Sequence, residues 1–277
     1  MRQPASAPRQ TSGVPPKKSL GQHFLTDPNI LRKIVDAARL STSDTVLEIG
    51  PGRGDLTRHI ARAAGTVFAV EFDRRLIPSL QSDLGGLTNV HLVRGDALTF
   101  PFHRLPAGTA AVANLPYNVA VPILMRLVEE RARFSRLVLM FQKEVADRIT
   151  ASPGTKDYGS LTLAVQYAMD AEILFKIAPG AFSPPPKVDS AVVRLAPLSA
   201  PRVKVRNERF LFSVIRAAFG QRRKTLRNAL RSIADADSLS AGGKHADIDL
   251  SRRGETLSLD EFARLADFLF ERKERKG

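Results

Sequence analysis

The chain has no cysteine and no tryptophan, only three tyrosines, and 28 acidic residues against 42 Lys and Arg in 277. Each shortage removes a class of explanation. Without Cys there is no disulfide framework, no thiolate metal site, no iron–sulfur cluster and no thiolate nucleophile; enzymes that attack a pyrimidine ring through sulfur are excluded. The five His residues (His23, His59, His91, His103, His245) are scattered without metal-ligand spacing, and no metal is expected. No apolar run approaches the roughly 18 residues that a membrane-spanning helix needs. Residues 1–16 carry four Pro and no acid. They lack the apolar segment of a secretory signal and read as a disordered tail, with a cytoplasmic location expected.

The deficit of acids leaves a net charge of +14 and a pI near 10.6. Such an excess points to a polyanionic partner, and its distribution helps to choose which. Residues 202–231 hold ten Lys/Arg against the single acid Glu208. A helix lying on a membrane would also want a wide apolar face with Trp or Phe. Nucleic acid is the better match, and no membrane partner is expected.

What is present is an α/β alternation. Strand patterns at 45–49, 66–70, 90–93, 110–113 and 136–141 alternate with helical ones at 55–64, from 73 onward, 119–131 and 142–149. An earlier helix, opened by Asp27-Pro28, runs to about residue 40. A helix at 160–169 and strands at 171–177 and 189–195 follow. The alternation implies a mostly parallel sheet covered on both faces, with antiparallel strands possible at its end. After about 197 the period is helical only, with stripes at 210–219, 224–233 and 259–270. The expected organisation is a tail (1–16), an α/β domain (17–197) and a smaller basic helical domain (198–277).

Three strand ends carry candidate chemistry. Gly50-x-Gly52-x-Gly54 lies between a strand and a helix, where glycines let backbone approach a ligand closely. The turn departs from the dinucleotide fingerprint, and Asp55 at the helix start would repel a pyrophosphate. A phosphate-free or cationic cofactor suits it better, and S-adenosylmethionine is one. Glu71, ending the next strand, is placed to bridge two ribose hydroxyls, and Asp96, ending the third, to accept from an adenine amino group. Both acids could instead cap the helices that follow. Asn114-Leu115-Pro116-Tyr117 ends the fourth strand. It offers a carboxamide, carbonyls directed by the proline, and an aromatic face, a set suited to an amino-bearing nucleobase. A plain turn would also use Asn and Pro.

The motifs then resemble a known family. Lys18-Ser-Leu-Gly-Gln-His-Phe-Leu25, Glu48-Ile-Gly-Pro-Gly-x-Gly-x-Leu-Thr57, Gly95-Asp96-Ala97 and Asn114-Leu-Pro-Tyr-Asn118 make one set. Phe141-Gln-Lys-Glu-Val-Ala146, Phe182-x-Pro-x-Pro-Lys-Val-Asp-Ser-Ala191 and Gln221-Arg-Arg-Lys-Thr-Leu-Arg-Asn228 make the second. From about Lys17 to the C-terminus the sequence is similar to the small-subunit ribosomal RNA adenine dimethyltransferases.

The resemblance implies a Rossmann-like S-adenosylmethionine-dependent methyltransferase domain followed by an all-helical one. It implies transfer of methyl groups to N6 of two adjacent adenosines near the 3′ end of 16S ribosomal RNA, in the assembling small (30S) subunit, by a monomer. Cofactor residues by matching position are His23, Leu25, Gly50, Glu71, Asp96 and Asn114, with Gly52 in the same turn. Many members have Asn where this chain has His23. Asn114, Leu115, Pro116 and Tyr117 would hold the target base, Phe182 would cover its other face, and Arg222, Arg223, Lys224 and Arg227 would contact RNA phosphates. The rivals are the related large-subunit rRNA adenine dimethyltransferases and a non-catalytic ribosome-assembly or RNA-binding factor. The tract 221–228 favours the small-subunit relatives, and the intact set of cofactor positions favours an enzyme.

Overall fold

A computed structural model describes residues 14–17, 20–221 and 223–275. In chain order its elements are β1 (Phe24–Leu25), α1 (Pro28–Ala38), β2 (Thr45–Ile49), α2 (Asp55–Ala63), β3 (Thr66–Glu71), α3 (Ile77–Leu84), β4 (Val90–Arg94), β5 (Thr109–Asn114), α4 (Ala120–Glu129) and β6 (Phe134–Gln142). Then come α5 (Lys143–Ile149), α6 (Ser160–Ala168), β7 (Met169–Ile177), β8 (Phe182–Ser183), β9 (Ser190–Pro197), α7 (Glu208–Gly220), α8 (Leu226–Ala229), α9 (Ala236–Ala246) and α10 (Leu259–Glu274).

Seven strands form one sheet in the order β4-β3-β2-β5-β6-β9-β7. The pairs β3/β4, β2/β3, β2/β5 and β5/β6 are all parallel. Strands buried on both faces read as continuous apolar runs. Accordingly, Val46, Leu47 and Ile49 of β2 and Ala110 to Ala113 of β5 are all buried. Each fully buried Val, Leu or Ile contributes about 1.5–3 kcal/mol. The chain goes from β2 outward to β3 and β4, then returns to β5 on the other side of β2. The crevice beyond the carboxyl ends of β2 and β5 is therefore the topological switch point, where ligands bind in such sheets.

The N-terminal helix forms where expected. Asp27 accepts from the Asn29 and Ile30 N–H groups at 2.8 and 3.2 Å, with Pro28 in the first turn. The helix ends at Arg39, in the left-handed region at φ 48.

The chain divides into two compact units. One comprises the residues up to Gln142 with Leu174–Arg194; the other comprises Lys143–Ile173 with the segment from Leu195 on. The boundary expected at 197/198 does not coincide with this division, because α5 and α6 belong with the second unit. There Leu198 N–H bonds the Ala168 carbonyl (3.0 Å) and Arg202 N–H bonds the Tyr167 carbonyl (2.9 Å). Within that unit the expected helix 224–233 is only α8 followed by a 3-10 turn, since the Leu226 and Arg227 N–H groups bond the Arg252 and Leu250 carbonyls. Helix α9 joins the unit without having been expected. Its Gly242 lets α10 approach, since a Cβ there would meet Leu265 at 3.1 Å and Phe268 at 3.2 Å. Residues 1–13 of the expected tail lie outside the described residues.

Candidate active site

The turn after β2 is built on glycines at positive φ, Gly50 at +71 and Gly52 at +61. A side chain at Gly52 would be strained by that φ and would meet the Phe24 ring at 3.0 Å. The Gly52 N–H donates to Glu71 Oε2 at 3.1 Å, and the Asp73 N–H to Glu71 Oε1 at 2.7 Å. Glu71 is buried, and burial pushes its carboxyl up, with the two backbone donors opposing. Gly95 N–H reaches the Glu71 carbonyl at 3.0 Å, bringing the ends of β3 and β4 together. Asp96 Oδ1 accepts from the Leu98 N–H at 2.8 Å, so this acid does cap its own turn. Its other oxygen is left for a ligand.

Gly50, Glu71, Gly95 and Asp96 line a slot of about 150 Å³ with Ile49, Val70, Ala97, Leu98, Val119 and Ile123 as its apolar walls. Among the described residues, Glu71 and Asp96 are the charged ones that line it, with no Lys or Arg. An adenosine with a cationic, phosphate-free substituent fits that donor set; a nucleotide phosphate does not. Phe72, 60% exposed, lines the same slot and was not singled out from sequence. A bare aromatic directly after the strand-ending acid was the available signal.

The second group sits at the end of β5. Asn114 Nδ2 donates to the His23 backbone carbonyl at 3.1 Å. A carbonyl only accepts, so this contact settles which way the carboxamide faces and leaves Oδ1 as its acceptor. The Pro116 carbonyl accepts the Val119 N–H at 3.1 Å in the turn leading to α4, so Leu115 supplies the less committed carbonyl. The Tyr117 hydroxyl bonds Ser190 Oγ at 2.5 Å, and its ring stacks on His23 with centroids 5.4 Å apart. Burial pushes the Tyr117 phenol up, keeping it neutral, with Ser190 offsetting in part. His23 Nδ1 lies 2.8 Å from the Pro184 carbonyl, which makes Nδ1 the protonated nitrogen of the neutral ring. His23, Gly50, Gly52, Glu71 and Asn114 to Tyr117 line one cavity, so the two groups meet.

Two sequence-picked residues are placed differently. Phe182 and Leu25 are register partners across β8 and β1, each 4% exposed and packed in the core with Val192 and Ile177. Leu25 still lines a small cavity beneath the glycine turn. Phe182 is not among the residues that line the slot or the cavity at Asn114. Arg223, Lys224 and Arg227 are exposed in the second unit, and Arg222 lies outside the described residues.

Glu48 was quoted in a motif but given no role. It is 1% exposed, with no hydrogen-bond partner for Oε2 among the described residues. Burial pushes its carboxyl up to about 8; Thr57 pulls it down, while Glu71 and Asp55 push it further up. Among the described residues no helix is long and apolar enough to cross a membrane, and no three His, Asp or Glu side chains cluster as metal ligands would.

A glycine turn, two acids at successive strand ends and a slot with no cation among the described residues, set at the switch point of a parallel sheet, define an S-adenosylmethionine-dependent methyltransferase. The family model for ribosomal RNA adenine dimethylases matches residues 15–271, and the chain belongs to that family. It is 52% identical over 275 residues to "Ribosomal RNA small subunit methyltransferase A" of Pelotomaculum thermopropionicum, covering 92% of each chain. It is 46% identical over 258 residues to the protein of that name from Clostridium botulinum, covering 92% of this chain and 94% of the other. Among solved structures, a dimethyladenosine transferase from Plasmodium falciparum superposes with a TM-score of 0.78 at 28% identity, covering 92% and 98% of the two chains. The 23S rRNA methyltransferase ErmE gives 0.69 at 28%, covering 89% and 99%.

Proposed function

We propose that this enzyme dimethylates N6 of two adjacent adenosines in the hairpin loop near the 3′ end of 16S ribosomal RNA, acting as a cytoplasmic monomer on the assembling small subunit. The small-subunit assignment is supported by 46–52% identity to relatives named for that subunit, against 28% to the large-subunit methyltransferase.

The observation that carries the chemistry is the orientation of Asn114. The N6 lone pair of adenine is delocalised into the ring and is a poor nucleophile. Asn114 Oδ1 and the Leu115 carbonyl accept the two N–H groups and draw them from the ring plane, which localises the lone pair on nitrogen. S-adenosylmethionine, when bound, supplies the electrophilic methyl carbon; Gly50, Glu71 and Asp96 are the residues that would hold it. Fixed acceptors of this kind contribute on the order of 10²–10³ in rate, because they need no reorganisation during the reaction. No base with a tuned pKa is needed, since the proton becomes acidic once nitrogen carries the new methyl group.

His23 covers one face of Tyr117, so the target base stacks on the other, worth about 1–3 kcal/mol. The base must be unpaired, at a cost of a few kcal/mol that a loop adenosine largely avoids. Arg222, Arg223, Lys224 and Arg227 would bind phosphates and orient the RNA.

The test is nucleoside mass spectrometry after incubation with subunits from a strain lacking the modification. Dimethyladenosine should form in small-subunit RNA. Formation in large-subunit RNA alone would overturn the assignment.

A further inference from the structure

Outside the slot, the first unit holds a second and larger cleft of about 550 Å³, which shares Leu20, Phe72, Gly95 and Asp96 with it. Its remaining lining is Lys17, Asp73, Arg74, Arg75 and Arg94. Arg75 is committed: Nη2 lies 2.6 Å from Asp73 Oδ2 and Nε 2.9 Å from Oδ1. Asp73 also accepts from Gln22 Nε2 at 3.0 Å, and the pair with Arg75 holds its carboxyl down at about 2. That carboxylate is therefore neutralised within the cleft. Lys17, Arg74 and Arg94 are exposed, and none has an ion-pair partner among the described residues.

Three unpaired cations beside this slot have no service to perform for its cofactor. S-adenosylmethionine carries a net positive charge and no phosphate, and its one anionic group, the methionine carboxylate, is at the opposite end of the molecule from the adenine, so positive charge at the adenosine end repels it. Among the described residues the slot itself carries two acids and no cation. The cations thus answer to a different, anionic ligand, and an enzyme acting on ribosomal RNA has a polyanion as its substrate.

We propose that Lys17, Arg74 and Arg94 form a contact site for the phosphate backbone of the substrate RNA, at the adenosine end of the cofactor slot. The proposal rests on the reading of the chain as a ribosomal RNA methyltransferase. It adds a sequence-independent anchor in the first unit to the basic tract of the second. RNA seated there runs past the slot's outer wall, formed by Phe72 and Asp96.

The test compares Arg74→Gln/Arg94→Gln with the charge-matched control Arg62→Gln/Arg104→Gln, all four arginines being exposed. Binding to unmodified small subunits is measured across salt concentration, and S-adenosylhomocysteine binding by calorimetry. Each phosphate contact contributes about 0.7–0.9 to the slope of log K against log salt, so losing two should flatten it by about 1.5. We expect that flattening with about tenfold weaker RNA binding near 0.1 M salt, while cofactor-product affinity stays within about twofold. A slope matching the control would overturn the cleft as an RNA site, and so would parallel loss of S-adenosylhomocysteine binding. A wild-type protein without affinity for small-subunit RNA would instead sink the underlying functional reading, and the proposal with it.

Discussion

The inner slot and the outer cleft share a wall and have opposite polarity. Among the described residues the slot is lined by Glu71 and Asp96 with no Lys or Arg, and the cleft by four cations with two carboxylates, Asp73 already paired with Arg75 and Asp96 shared with the slot. One enzyme must bind a small cation and a very large polyanion side by side. Unscreened charges interact over a Debye length of about 8 Å at physiological salt, so an undivided basic surface would weaken cofactor binding. Keeping cations out of the slot, and one Asp–Arg pair at the boundary, sorts the two ligands by charge.

The comparison can be broken from its acidic side first. Glu71→Gln should weaken S-adenosylhomocysteine binding about 10²-fold by calorimetry, since hydrogen bonds to a charged group are worth about 1.5–3 kcal/mol each, while leaving the salt slope of RNA binding unchanged. Glu48→Gln tests the buried acid that lines the small cavity beneath the glycine turn. A carboxyl raised to about 8 in the fold from its ordinary value of 4.5 costs stability as pH rises between those values. The variant should therefore gain on wild type across pH 4.5 to 8 and hold the gain above it. At pH 7.5 that gain should be on the order of 2–4 kcal/mol in denaturant unfolding. Asp96→Asn keeps an acceptor and removes the charge, so cofactor-product affinity should fall about tenfold, read by the same calorimetry. The smallest effect belongs to Tyr117→Phe, which keeps the ring and loses the bond to Ser190. The methylation rate should fall several-fold, corresponding to about 0.5–1.5 kcal/mol.

The parts of this division legible in the sequence are those fixed by local pattern. Gly50, Glu71, Asp96 and Asn114 each end a strand whose apolar run announces it, and parallel pairing brings those ends together. What was hidden depends on pairing between distant segments. The burial of Phe182 follows from β8 meeting β1, and the Nδ1 tautomer of His23 from a carbonyl 161 residues away. Nothing near Ser190 signals its bond to Tyr117. Helix α9 escaped because Gly242 and Gly243 lower its intrinsic propensity by roughly 1 kcal/mol each, which packing against α10 overrides. The basic tract was visible as composition, whereas Arg74 and Arg94 lie twenty residues apart and meet only through adjacent strand ends.

The most direct test of the central claim is Asn114→Ala, with two readings on one preparation: single-turnover dimethyladenosine formation on small subunits and affinity for S-adenosylhomocysteine. The account predicts a rate loss of about 10²–10³, with cofactor-product affinity changed far less. Undiminished methylation would contradict it, because the carboxamide fixed by His23 would then not be what prepares the amine.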